Sequence, residues 1–265
     1  MAKLQDLFSQ ARRAQSSSGM GFIGKSKTGT KPHAAALVVE FPKLSAGRTE
    51  AVLKAGADGV LYTWDGKDTP VLDLIKQEVA SARASNEQHV AGLRITGALD
   101  TLNREVLTSI KELGIAYILL PFEAPARLLG VDVKDLEKIV SVPVRSGDLY
   151  PVFIRPLASL GGISAVHLEL EFPKEFGSLT IEEVLHYKGV REAVHVPALL
   201  NVPTDLDEDS AHTLAVLGAQ AVILTAASSE ATTTKQITAL RGLLEKLYQE
   251  EKENEPGSSL SPLRR

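Results

Sequence analysis

The chain has 265 residues, 44% of them hydrophobic, with 29 Lys and Arg against 33 Asp and Glu for a net charge of -4, which is apolar content enough for a sizeable core. Its basic residues are scattered, so the positive footprint of a nucleic-acid binder is missing. Having no cysteine excludes disulfides, thiolate metal sites, iron-sulfur clusters and cysteine nucleophiles together, and fits a reducing compartment.

The amino terminus "MAKLQDLFSQARRAQ" lacks the apolar core of a signal peptide, and no run of 18 apolar residues follows, so a cytoplasmic chain without a membrane span is expected. Leu4, Leu7, Phe8 and Ala11 recur at helical spacing, which predicts a short amphipathic helix plugging one end of the main domain. Next comes "GMGFIGKSKTGTKPH". From Gly19 it satisfies the lettering of a phosphate-binding Walker loop, but that motif enters a helix and this one enters a strand. It is expected to be a lead-in to the fold.

From His33 onward two series of strands interleave. "HAAAL" from His33, "HVAGL" from His89, "KIVSV" from Lys138 and "HVPAL" from His195 alternate with "AGADGVLYT", "LGIAYILLP", "GGISAVHLEL" and "LGAQAVILT". In the second series Gly56, Gly114, Gly162 and Gly218 each follow a helical pattern, as left-handed residues that end a helix before a buried strand. Between the strands, "TPVLDLIKQEVASAR", "TLNREVLTSIKEL", "TIEEVLHYKGV" and "TKQITALRGLLEKLYQE" carry apolar residues three and four apart and read as helices, most with Thr near the start. In "GDLYPVFIRPLASL" Pro156 cannot lie comfortably inside a helix, so the fifth helix is expected to be kinked or broken.

Eight βα units in this length predict a single (β/α)8 barrel with an extra amino-terminal helix; an open doubly wound sheet would need edge strands more polar than any present. Through "AGADGVLYT" and "LGAQAVILTAASSEATTTKQITALRGLLEKL" the chain resembles, at fold level, the TIM-barrel class that includes phosphate-binding barrels and flavin-linked barrel enzymes. No catalytic motif of one family accompanies that resemblance. The expected organisation is a helix and lead-in over 1–32, the barrel over 33–249 and a disordered tail over 250–265.

Strand alternation sorts inward from outward side chains. Val60, Ile118, Val166 and Val222 are apolar and assigned to the helix side, which points Leu61, Leu119, His167 and Ile223 inward, followed by Thr63, Pro121, Glu169 and Thr225. In the other series the small Ala36, Gly92, Ser141 and Ala198 suit the crowded axis. Val38, Arg94, Pro143 and Leu200 then follow on the same face, and after them Glu40, Thr96, Arg145 and Val202. A one-residue bulge would exchange Leu200 for Asn201.

Charges pointing inward at the carboxyl ends of barrel strands are where chemistry is expected. Arg94 and Arg145 suit an anionic substrate, a carboxylate or a phosphate, with Thr63, Thr96, Asn201, Thr225 and Ser228 as further contacts. Glu40, His167 and Glu169 are candidate acids and bases, and Glu40, Glu169 and Glu171 could instead hold a divalent metal. Against these stand an internal ion pair such as Arg94 with Glu169, kept for packing, and His167 as a satisfied core residue. His33, His89 and His195 fall at strand beginnings, the stability face. "TAASSEATTTKQ" after the last strand could cradle a phosphate or simply cap the last helix.

Three functions fit these residues. The first is an aldolase-type barrel enzyme, of lyase or isomerase character, acting on a small anionic metabolite. The second is a flavin-linked oxidoreductase using FMN. The third is a barrel without catalysis, serving as a binding or assembly module, and a homo-oligomer is the ordinary prior for any of them. A Schiff-base lysine inside the barrel is absent, because Lys138 lies at the wrong end.

Overall fold

Eight parallel strands hydrogen-bond in chain order, and the eighth returns to the first, in a computed structural model that describes residues 4–9, 33–85, 89–145, 149–170 and 176–254. They are β1 (Ala36–Phe41), β2 (Gly59–Trp64), β3 (Val90–Ile95), β4 (Tyr117–Leu120), β5 (Glu137–Pro143), β6 (Ala165–Glu169), β7 (Ala198–Val202) and β8 (Ala221–Thr225). The chain is thus a single (β/α)8 barrel. Short helix α1 (4–9) precedes it, and α2 (Arg48–Lys54), α3 (Thr69–Ser85), α4 (Arg104–Glu112), α5 (Arg127–Gly130), α6 (Tyr150–Ile154), α7 (Ile181–Val194), α8 (Glu208–Leu217) and α9 (Glu230–Asn254) follow the strands in turn. No described helix is long and apolar enough to cross a membrane. The Gly/Lys/Thr-rich lead-in lies outside the described residues. Because α9 continues to Asn254, the first residues assigned to a tail from 250 onward are helical.

The local signals act as their chemistry requires. Gly56, Gly114, Gly162 and Gly218 all have φ between 69° and 111°, where a Cβ would be strained. At α7 the Thr180 hydroxyl accepts from the Glu183 N–H while the Glu183 carboxylate accepts from the Thr180 N–H, a reciprocal cap. Asn103 and Asp207 cap α4 and α8. After β5 the helix does break: α6 lasts only to Ile154, and a 3-10 segment, Arg155–Ser159, carries the chain past Pro156.

Two apolar layers result. Val60, Tyr62, Ile118, Leu120, Val166, Leu168, Val222 and Leu224 face the helices, as alternation predicted. Inside the barrel Val38, Leu61, Tyr117, Leu119, Ile139, Leu199 and Ile223 form a second cluster, whose lower end is closed by Leu4, Leu7 and Phe8 of α1. The Leu4 N–H donates to Glu137 at 2.8 Å, tying the plug to β5. His33 lies 2.9 Å from Asp58, which also takes Arg241 of α9 at 3.1 Å, so this clasp joins the lead-ins of β1 and β2 to the last helix. Burial works to raise the Asp58 pKa, but His33, Arg241 and the Leu37 N–H together hold it below the usual carboxylate value.

One strand is turned over relative to the sequence expectation. Ala198, Leu200 and Val202 of β7 face the helices, while Leu199 and Asn201 face inward. The matching "HVPAL" and "HAAAL" strings conceal a difference in approach: His195 caps α7 in the left-handed conformation, φ 52°, which shifts the strand by one residue. Its register, His167 with Leu199 and Asn201 with Ile223, sets inward residues beside inward residues.

Interior space is tightest at β3 and β4. A Cβ built on Gly92 would lie 2.2 Å from Cζ of Tyr117, so the aromatic ring occupies the volume that the glycine vacates. Replacing Gly92 by Ala should cost about 1–3 kcal/mol through overpacking, and adding Tyr117→Leu should recover most of that loss. Denaturant unfolding of the two variants checks this; an unaltered Gly92→Ala midpoint would mean that the ring lies elsewhere.

Candidate functional site

At the carboxyl ends of the strands the inward positions read, in strand order, Glu40, Thr63, Arg94, Pro121, Pro143, Glu169, Asn201 and Thr225. Strand pitch alone delivers these side chains to one mouth, since each stands two positions after an inward residue of its own strand. Polar groups concentrate on β1 to β3 and on β6 to β8, and two prolines occupy the span between them.

The centre of the mouth is an ion pair. Arg94 Nε donates to Glu40 Oε1 at 2.5 Å and Nη2 to Oε2 at 3.3 Å, with the two side chains only 15% and 10% exposed. This fork-to-fork contact is the strong form of a charge-assisted bond. It corrects the sequence expectation, which paired Arg94 with Glu169. Arg94 bonds across the mouth to β1, whereas Glu169 is 48% exposed, with one carboxylate oxygen 3.9 Å from Nδ1 of His167. Of the three glutamates considered as metal ligands, Glu40 is bonded to Arg94 and Glu171 lies outside the described residues. Among the described residues, the group close enough to share a metal is Glu208, His212 and Glu250 on the outer helices, where Lys246 already occupies Glu208.

Beneath the mouth lies a second polar unit. His167 is buried, its Nδ1 lies 3.0 Å from the Ser141 hydroxyl, and its Nε2 lies 3.2 Å from Asn201 Oδ1. With the proton on Nε2, the ring donates to Asn201 and accepts from Ser141. Burial, followed by the Arg94 charge, lowers its pKa from 6.5 to about 3, and the bond to Asn201 offsets only part of this. His167 is neutral at pH 7, held as a satisfied core residue at the base of the site.

Two hydroxyls remain. Thr63 Oγ1 and Tyr117 Oη are buried and have no hydrogen-bond partner among the described residues. Thr63 is in register with Arg94, and the Tyr117 hydroxyl feels the charges of both Arg94 and Glu40 while burial pushes its pKa up. Sequence reasoning missed Tyr117 and the role of Ser141. Tyr117 stands two residues before the inward Leu119, so alternation alone could have found it.

The other predicted contacts separate from this group. Arg145 and Thr96 are exposed beyond their strand ends, and the Thr96 hydroxyl donates to the Trp64 carbonyl. Thr225 is exposed at the rim. Ser228 is exposed in the turn before α9, where Thr233 takes the Ala227 N–H and Arg48 binds the Ala227 carbonyl. Asn201, reached through the β7 shift, opens onto a cleft lined by Gly177, Ser178, Asp205 and Asp209.

No protein-family model and no curated protein sequence matches this chain. Solved structures do. An open form of tryptophan synthase from M. tuberculosis is similar over 93% of this chain and 98% of its own, with 15% identity and a TM-score of 0.60. A mutant tryptophan synthase alpha-subunit from Pyrococcus furiosus is similar over 79% and 98%, with 12% identity and a TM-score of 0.58. A cube-shaped protein cage designed by fusing symmetric oligomeric domains reaches a TM-score of 0.58 at 12% identity, over 83% and 75%. At such identities the likeness is one of fold: the chain has the TIM-barrel architecture of these structures.

Two measurements bear on this geometry. Arg94→Met leaves Glu40 charged and unpaired and should cost about 3–5 kcal/mol, whereas Glu40→Leu with Arg94→Met removes both charges and should be markedly more stable than the single variant; urea melts around this double-mutant cycle decide it. The second concerns pH. The unfolded chain protonates His167 near pH 6.5 and the folded chain only near 3, so the unfolded state binds more protons between these values. Stability from neutral His167 is complete above about pH 6.5 and declines as pH falls toward 3, by at most about 1.4 kcal/mol per unit. The stability difference between wild type and His167→Gln should shrink accordingly from pH 7 to 4.5; a difference independent of pH would contradict the burial of the ring.

Proposed function

We propose that the carboxyl-end mouth of the barrel is the active site of an enzyme that moves a proton on a small anionic metabolite, a carboxylate or a phosphate ester, as a lyase or isomerase does. The observation that carries this reading is the placement of the partnerless Thr63 and Tyr117 hydroxyls beside the shielded Glu40–Arg94 pair. Buried hydroxyls without partners are costly in a core kept only for packing, and a bound polar ligand satisfies them.

The pair also supplies a mechanism. An incoming carboxylate or phosphate competes with Glu40 for the guanidinium fork of Arg94. Once displaced, the Glu40 carboxylate is released beside the ligand in a poorly hydrated site, where it takes a proton and later returns it, as a general base and then acid. Thr63 and Tyr117 donate hydrogen bonds to the ligand, and Asn201, fixed by neutral His167, fills the same role from the opposite wall. Glu169 at the rim is the second carboxylate within the mouth. The same competition argues against a resident divalent metal on Glu40, because a cation there would sit against Arg94.

The test is a thermal-shift survey of wild type with small phosphates and mono- and dicarboxylates, followed by exchange of ligand carbon-bound hydrogen in deuterated water. A stabilising ligand should lose its effect in Thr63→Val, and Glu40→Gln should bind it while exchange falls at least a hundredfold. If no anion stabilises the wild type, or if Glu40→Gln exchanges normally, the site is not catalytic in this way.

A further inference from the structure

The polar unit beneath the mouth has a direction, and its buried end sets it. Ser141 is buried on β5, and its contact with His167 Nδ1 at 3.0 Å is the side-chain hydrogen bond it forms among the described residues. Its O–H therefore has one acceptor to go to, the Nδ1 lone pair. The ring then carries its proton on Nε2 and donates to Asn201 Oδ1 at 3.2 Å. Reversing the chain would put the proton on Nδ1 and turn the amide over, leaving the Ser141 O–H buried without an acceptor. That is the costly arrangement. Because burial and Arg94 hold the His167 pKa at about 3, the ring keeps its single proton, and with it this direction, at neutral pH.

The outer end of the chain is Asn201, exposed on β7. With Oδ1 held by His167, what the side chain has left is its amide nitrogen, which has no partner among the described residues. Asn201 thus meets a ligand as a donor. It borders a cleft of about 560 Å³ that it shares with Ser178, Asp205, Asp207 and Asp209 and that has no Lys, Arg or His in its lining. Asp207 caps α8 through the Ser210 N–H, while Asp205 and Asp209 form no ion pair among the described residues. A second anionic group placed here would be repelled.

We infer that Asn201 is a specificity-determining residue of the mouth, positioned by His167 and Ser141, and that the ligand carries a single anionic group and, apart from it, an uncharged acceptor oxygen, a carbonyl or a hydroxyl. This rests on the mouth being the ligand site, with Arg94 taking the charged group. Two walls then read two ends of one molecule: Arg94 on β3 the charge, Asn201 on β7 the neutral oxygen. The buried Thr63 and Tyr117 hydroxyls, also without partners among the described residues, offer further hydrogens. A ligand rich in acceptor oxygens is the complement of such a set.

Two measurements on the full chain test this. Proton–nitrogen correlation NMR of the imidazole rings should find the His167 proton on Nε2 in the wild type, and a proton on Nδ1 overturns the assignment before any ligand is tried. Isothermal titration then compares unbranched carboxylates with their oxo acids, their hydroxy acids and the dicarboxylates of equal length. At one chain length or more the oxo or the hydroxy acid should bind at least tenfold more tightly than the plain acid, the worth of one good hydrogen bond, and the dicarboxylate no more tightly than the plain acid. Which of the two leads identifies the oxygen. Asn201→Leu should erase the preference and leave the plain acid bound as before. His167→Leu should reduce the preference as well, whereas mere damage to the fold would weaken both acids alike. Plain acids that bind with no gain from the added oxygen, or a gain that survives Asn201→Leu, overturn this inference and leave the mouth as an anion site. Binding of no acid at all removes the mouth as the ligand site, and this inference with it.

Discussion

Closure of the sheet is the constraint on which the rest of this structure depends. Once β8 pairs with β1, no backbone edge remains to be satisfied, and the enclosed volume is fixed by strand number and tilt. Everything inside must then be filled by side chains of matching size. That requirement explains Gly92 beneath the Tyr117 ring, the small Ala36, Ala165 and Ala221 near the base, and the use of α1 as a plug where strand residues no longer reach the axis.

A filled barrel also determines what the mouth can be. Because Leu61, Leu119, Leu199 and Ile223 seal the middle of the interior, the charged residues above them rest on a dry floor. Arg94 and Glu40 cannot rely on water and so face each other, and His167, one level down, is tolerated only in its neutral form with both ring nitrogens matched. Of the buried side-chain atoms without partners among the described residues, the Thr63 and Tyr117 hydroxyls are the two on inward strand positions, Thr63 in register with Arg94 and Tyr117 within the field of both charges. Stability and reactivity at this site draw on the same low polarity: it strengthens the pair at rest and would strengthen any contact that replaces it.

The outer layer is less even than the inner one. Between β4 and β6 the connecting helices α5 and α6 are four and five residues long, against 25 for α9. A strand needs cover on its outer face, but the cover need not be a full helix, and the 3-10 segment after Ile154 keeps the inner side dry with Ile154 buried. Leu149, Val152 and Phe153 around α6 and Ile181 and Leu185 on α7 stay exposed on this side. The barrel therefore presents two surfaces of different chemistry, a polar mouth at the strand ends and an apolar flank on one side.

By itself the sequence determined the period and direction of the chain: eight strands, the four glycines at left-handed turns, the broken helix at Pro156, and the inward order of seven strands, Glu40, Thr63, Arg94 and Glu169 among their residues. These are local properties, written in alternation, φ restrictions and helix capping, and they need no knowledge of a distant neighbour. Only the tertiary structure decided that Arg94 bonds Glu40 rather than Glu169, that Asn201 and not Leu200 enters the barrel, and that Arg145, Thr96 and Ser228 stand outside it. Those outcomes depend on strand stagger around a closed ring and on the left-handed His195 before β7, which shifts one strand by one position. A one-residue shift reverses every side chain on a strand, and its energy is settled by the neighbouring strands, so no pattern within the segment records it.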